Sequence, residues 1–188
     1  MTTVDFKTIS ISELAAVINN KFTQHNMKTV LVGGACVVIY SNNRYQSYDL
    51  DFVTFEHSEK IKKALAELLF VLKGKYFTRQ DCPYFIEFVS PPVAIGKELI
   101  HKFEALATPF GHVVLLTPTD CVKDRLASFF HWQDNQALEQ AVMVFQDQKI
   151  DLQEIEQWAK AENYLDKYKE FLKKLKKMNW PKPLSGIT

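Results

Sequence analysis

The chain has 188 residues, enough for one sizeable domain or for a domain with a helical extension, and its 47% apolar content, with 14 Phe and 7 Tyr, excludes intrinsic disorder. A formal net charge of +1 excludes any reading of nucleic-acid or membrane binding from bulk charge. Cys36, Cys82 and Cys121 form no CxxC pair and so give neither a disulfide framework nor a zinc ribbon; free thiols, no signal-peptide pattern and no run of about 18 apolar residues make the cytoplasm the expected compartment and a membrane partner unexpected.

Ser12 is placed to cap a helix reaching Asn26, with Leu14, Val17, Ile18 and Phe22 on one face. Thr29-Val-Leu-Val reads as a strand that ends in Gly33-Gly34, and Ala35 to Tyr40 as a short buried helix. After the loop chemistry of Ser41-Asn-Asn-Arg, Asp49 to Phe55 alternates polar and apolar, as a strand does. Ile61, Ala64, Leu65, Leu68, Leu69 and Leu72 make one stripe and predict a helix over Ser58 to Leu72. Strands are expected at Tyr84 to Val89, stopped by Pro91-Pro92, and around Phe103 to Leu106 and His112 to Leu116.

From Thr117 the pattern turns helical. Thr117-Pro-Thr-Asp offers a cap, a proline at the first helical position and an acid in the first turn. Further helices are expected over Asn135 to Gln146, from Asp151 onward, and over Tyr164 to Met178. The fold class is α+β, a mixed α/β core over residues 1–116 followed by a helical region over 117–188 that packs on it.

The chemistry concentrates in three places. Asp49 and Asp51, at i and i+2 on a strand, project from the same face. Side by side they repel unless a cation sits between them, a need that a hard ion such as Mg²⁺ meets. Glu87, in Phe85-Ile-Glu-Phe-Val, lies on a strand able to pair nearby, and three acids can hold two metals. Gly33 and Gly34 let backbone N–H groups approach a phosphate with no side chain in the way. Taken singly, each has a plainer reading: DxD on a strand edge, Gly-Gly in a turn, Glu87 on the polar face of a half-buried strand. Their order, each in its expected element, is what singles them out.

Val32-Gly33-Gly34, Asp49-Leu50-Asp51-Phe52 and Ile86-Glu87-Phe88 resemble the three motifs of the nucleotidyltransferase superfamily typified by DNA polymerase beta. Arg44 and Ser47 resemble the basic and hydroxyl residues that precede the DxD in that family. Pro118-Thr-Asp120-Cys-Val-Lys123-Asp-Arg125-Leu-Ala127 is similar to the helical motif of stand-alone bacterial members, among them those of abortive-infection and toxin–antitoxin systems. The resemblance implies a nucleotidyltransferase fold with Asp49, Asp51 and Glu87 as catalytic metal ligands for Mg²⁺ or Mn²⁺. It further implies that Gly33, Gly34, Arg44, Ser47 and Lys123 contact a nucleoside triphosphate, that the acceptor is RNA, protein or a small molecule, and that a cognate toxin or antitoxin is a partner. The family also contains members that keep the fold and lose the chemistry.

The second glycine is followed by Ala35, so phosphate contact would rest on backbone alone. Asp49-Leu-Asp-Phe-Val also fits a haloacid-dehalogenase phosphatase pattern, but the polar residues before Asp49 do not suit the apolar strand that chemistry uses. Lys123 and Arg125 lie off the Val122, Leu126, Phe129, Phe130 stripe and are expected at solvent or the cleft, with Arg125 and Asp134 as an alternative structural ion pair. His131-Trp132 is expected in the core, and the lysines of the last helix, Lys167 to Lys177, on a solvated face.

Overall fold

Ser10 starts the first helix. Its hydroxyl accepts the Glu13 N–H at 3.3 Å while the Glu13 carboxylate accepts the Ser10 N–H at 2.9 Å, so the cap is Ser10 and not Ser12. This reciprocal pair outcompetes a serine two residues on, because Glu13 stands three residues from Ser10. The computed structural model describes residues 4–178; residues 1–3 and 179–188 of the two expected units lie outside them. In chain order come α1 (Ile11–Gln24), β1 (Val30–Val32), α2 (Gly34–Tyr40), β2 (Asp49–Val53), α3 (Ser58–Ala66), β3 (Val71–Lys73), β4 (Tyr76–Thr78), β5 (Phe85–Val89), β6 (Ala94–Ile95), β7 (Glu98–Leu99), β8 (Phe103–Thr108), β9 (Gly111–Leu116), α4 (Pro118–Trp132), α5 (Asn135–Asp147), α6 (Leu152–Ala161) and α7 (Leu165–Lys177).

The helix expected to run to Leu72 stops at Ala66. Leu69 takes a φ of 61°, Phe70 turns inward to hydrogen-bond Leu65 O at 3.0 Å, and Leu72 pairs with Phe77 in a β3–β4 hairpin. The leucine periodicity continued past the true end because Leu69 and Leu72 are exposed and take no part in the core.

The main sheet has the order β3-β4-β5-β2-β1-β9-β8. β2 runs parallel to β5 and antiparallel to β1; β1 runs parallel to β9, through the single pair Leu31↔Leu115. Beside that short join, Asn19 of α1 donates to Thr29 O at 3.1 Å and accepts the Val114 N–H at 2.9 Å, so a side-chain amide bridges strands whose own ladder is one rung long.

Side-chain alternation gives the sheet two unlike faces. Leu31, Leu50, Phe52, Ile86 and Leu115 are fully buried on one, where Phe88 stacks on Phe22 of α1 at 5.3 Å between ring centroids. Val30, Val32, Asp49, Asp51, Val53, Glu87 and Val114 share the other by register.

Leu116 closes β9, and Thr117, accepting the Asp120 N–H at 3.1 Å, opens α4. α5 packs on α2, and α4 on α2, β6 and β9. The β6–β7 hairpin is tied to α6 from beneath: Trp158 Nε1–H donates to Ile95 O at 3.2 Å, and the carboxylate of buried Glu162 accepts the Lys97 N–H at 2.7 Å. Gly96, at φ +60°, leaves room for that carboxylate, since a Cβ there would stand 2.6 Å from it.

Candidate active site

The parallel register of β2 and β5 sets Asp49 beside Phe85 and Asp51 directly beside Glu87, while the antiparallel register sets Asp51 beside Val32. All three acids therefore leave the same face of the sheet at neighbouring positions. β1 then breaks at Gly33, whose φ of +71° turns the chain into α2. A Cβ on Gly33 would lie 2.6 Å from Asp51 Oδ2, so only glycine lets backbone come this close to the carboxylate. Ser47 closes the other side: its hydroxyl donates to the Asp49 carboxylate, and it lies 3.3 Å from the Cβ position of Gly34.

Asp51 carries the electrostatic signature of this arrangement. Burial, then the neighbouring charges of Asp49 and Glu87, push its pKa up to about 6; Asp124 adds to the effect and Arg125 opposes it. A carboxyl held this way gives up its proton later than an ordinary aspartate, and a further positive charge beside it would favour its ionised form.

The third acid is differently situated. The Glu87 carboxylate is paired with Lys75 Nζ at 2.8 Å. Among the described residues, no group of three or more His, Cys, Asp or Glu side chains is arranged to hold a metal ion. The donor chemistry of Asp49 and Asp51, two acids on one face with Asp51 short of positive charge, suits one hard divalent cation; Glu87 completes a three-acid set only when it leaves Lys75.

Two expected nucleotide contacts point elsewhere. Each nitrogen of the Arg44 guanidinium is engaged at the end of α5, with Gln146 Oε1 at 2.6 Å, Met143 O at 2.7 Å and Asp147 at 2.8 Å. Arg44 pins its loop to the carbonyl end of that helix, where a cation is favoured. Lys123 is fully buried and paired with Glu154 at 2.7 Å and with Glu98 and Asp120 at 3.0 Å. It sits neither at solvent nor at the carboxylate face, because α4 is covered on that flank by β7 and α6, elements whose positions periodicity along α4 does not reveal.

The cation that α4 does bring to Asp51's surroundings is Arg125, which donates to Asp124 at 3.1 Å and to Gln140 at 3.3 Å. Its expected partner Asp134 instead caps α5 by accepting the Ala137 N–H at 3.1 Å. Asp124 and Lys75 are the residues near the acids that sequence reasoning missed; Arg125, expected with Lys123 at solvent or the cleft, is the one of the two whose charge reaches Asp51. Neither His131 nor Trp132 lies in the core: both are exposed, Trp132 at 76%, with His131 packed edge-on to Tyr164 at 4.9 Å. On α7, Lys167 donates to Phe130 O at 2.7 Å and Lys174 pairs with Glu139, so these two act within the fold.

No protein-family model matches the chain, and no curated protein matches it. Among solved structures it is similar to an antigenic nucleotidyltransferase-like protein from Paracoccidioides brasiliensis, at 14% identity and a TM-score of 0.59, over 92% of this chain and 95% of that one. It is also similar, at 10% identity and a TM-score of 0.49 over 92% of this chain and 98% of that one, to the antibiotic-resistance factor ANT(2'')-Ia. The first likeness shows the nucleotidyltransferase fold. Among the described residues, no helix is long and apolar enough to cross a membrane.

Proposed function

We propose that this chain is a metal-dependent nucleotidyltransferase, moving a nucleoside monophosphate from a nucleoside triphosphate to an acceptor hydroxyl. The observation that carries the reading is the convergence of Asp49, Asp51 and Glu87 on one sheet face against the bare backbone of Gly33, with Asp51 short of positive charge. The shared fold supports it.

In this reading Asp49 and Asp51 hold Mg²⁺ or Mn²⁺, which when bound supplies the positive charge that phosphoryl transfer requires. Gly33 and Gly34 offer backbone N–H groups to the triphosphate, and Ser47 keeps the Asp49 carboxylate aimed. Glu87, released from Lys75, takes the acceptor's proton as the acceptor oxygen bonds to the α-phosphorus and the bond to pyrophosphate breaks. The free thiols of Cys36, Cys82 and Cys121 accord with a reducing, cytoplasmic setting.

Calorimetry with Mg²⁺ and each of the four nucleoside triphosphates tests this. Saturable, metal-dependent binding is expected, lost in the Asp49→Asn, Asp51→Asn double variant; wild-type affinity in that variant would sink the proposal.

The Lys75–Glu87 pair favours a second reading, a chain that keeps the fold as a binding module, for instance within a toxin–antitoxin or defence pair. Triphosphate that binds, yet never yields pyrophosphate with any RNA, protein or small-molecule acceptor, would select it.

A further inference from the structure

We propose that the cavity at the Val30–Val53 end of β1 and β2, two residues along β2 from Asp51, seats the acceptor, and that this acceptor is a small molecule with an apolar, ring-sized body and a hydroxyl group. The inference rests on the transferase reading above.

Register locates the cavity. Val53 follows Asp51 by two residues on β2 and pairs with Val30, as Asp51 pairs with Val32. Leu31 pairs with Leu115, which puts Val114 on the face of Val30. Val30, Val53 and Val114 line a cavity of about 740 Å³ that reaches round the start of β1 to Asn20 and Thr23 of α1, and whose other side is formed by Val93, Leu99 and Ile100, around the β6–β7 hairpin. The volume lies in the range of roughly 300–1,000 Å³ that suits a small organic ligand. Two residues along a strand are about 6.8 Å, so a molecule seated against Val53 reaches Asp51 across less than the width of a two-ring system. The opposite side is held in place by the Trp158 and Glu162 hydrogen bonds to β6–β7.

The lining decides the chemistry. No carboxylate is among the described lining residues, so a polycationic acceptor finds no partner there, and Lys28 is the sole Lys or Arg among them, too few charges for a nucleic-acid backbone. Asn20, His101 and His112 supply a few hydrogen-bonding groups against a mostly apolar wall. Phe55, Leu99 and Phe103 border the same space and remain 78%, 52% and 36% exposed, large apolar groups left to water where a ligand would cover them.

The test uses the whole chain and naphthalen-2-ylmethanol as the probe, followed by its fluorescence without metal or nucleotide. One saturable site is expected. Leu99→Asp and Phe103→Asp, both at exposed positions and checked for folding by circular dichroism, should each weaken binding about tenfold, as a charge replaces an apolar wall. The Asp49→Asn, Asp51→Asn variant should bind the alcohol as the wild type does. With Mn²⁺ present, the probe's CH₂OH protons should relax faster than its far-ring protons.

No saturation, unchanged affinity in both wall variants, or the reverse relaxation order overturns the proposal. So does a chain that sediments as a dimer and expels the probe as it associates, since the surface then belongs to a second copy. Alcohol binding without any Mg²⁺–nucleotide binding sinks the transferase reading and leaves the cavity a ligand site. Nucleotide binding without alcohol binding sinks the cavity assignment alone.

Discussion

Among the described residues, the surroundings of Lys123 and those of Asp51 each gather three carboxylates, and they resolve the repulsion in opposite ways. Around Lys123, the acids Asp120, Glu98 and Glu154 converge on one ammonium group within 3.0 Å. Burial pulls the Lys123 pKa down, but its hydrogen bonds to Glu154, Glu98 and Asp120 together raise it well above the ordinary lysine value. Around Asp51, the acids come from β2 and β5, Lys75 reaches only Glu87, and Arg125 is committed to Asp124 and Gln140. There the balance leaves a carboxyl that resists ionisation. The first cluster supplies its own counter-ion and serves the fold; the second leaves Asp51 short of positive charge.

The sharpest way to break this contrast is to remove the internal cation. Lys123→Met should cost about 3–5 kcal/mol, because three acids lose a buried partner, and urea unfolding would measure it. A loss below about 1 kcal/mol would mean that water already serves these acids and that the two clusters are alike.

Removing a charge from the other cluster should do the reverse. The folded pKa of Asp51, about 6, stands above its reference value of 3.8, so the folded chain keeps a proton that the unfolded chain gives up between those values. Asp51 therefore costs stability increasingly as pH rises from about 4 to 6, and the cost persists above. Asp51→Asn should stabilise the protein by up to about 3 kcal/mol at pH 7.5, and the gain should vanish below about pH 4. Saturating Mg²⁺ should stabilise the wild type and not the variant. A pH-independent difference would place Asp51 in an ordinary solvated setting.

The smallest effect belongs to Lys75→Ala. The pair it makes with Glu87 is exposed on the lysine side, so the unfolding midpoint should stay where it is. Freed Glu87 should instead raise Mn²⁺ affinity about two- to fivefold, the scale of a surface ion pair. Unchanged Mn²⁺ affinity would remove Glu87 from the metal reading and leave Asp49 and Asp51 alone in it.

What could be read from the sequence follows the range of the interactions. Asp49 and Asp51 were placed on one face by strand alternation, a relation between residues two apart. The parallel pairing that puts Glu87 beside Asp51 spans two separate segments, and only the order of motifs hinted at it. Lys123 was misread because Glu98 and Glu154 reach it from elements remote in the chain, one of them in a two-residue strand that carries no periodic signal of its own. The partners of Arg44 were hidden for the same reason, lying at the far end of α5. The β3–β4 hairpin hid under a leucine stripe because exposed leucines look the same to a periodicity argument as buried ones.

The one-rung join of β1 and β9 bears on the order in which the chain is made. β1 meets β2 soon after synthesis, but Leu31 cannot pair until Leu115 has emerged. At ribosomal speeds of about 5–20 residues per second, a central strand keeps one edge open for on the order of ten seconds. Asn19 and Thr29, hydrogen-bonded in the folded chain, are both translated well before Leu115, so their bond is available to form during that interval. The helix that later bridges the seam can thus occupy the nascent edge first, holding it for β9 and denying it to the strands of neighbouring chains.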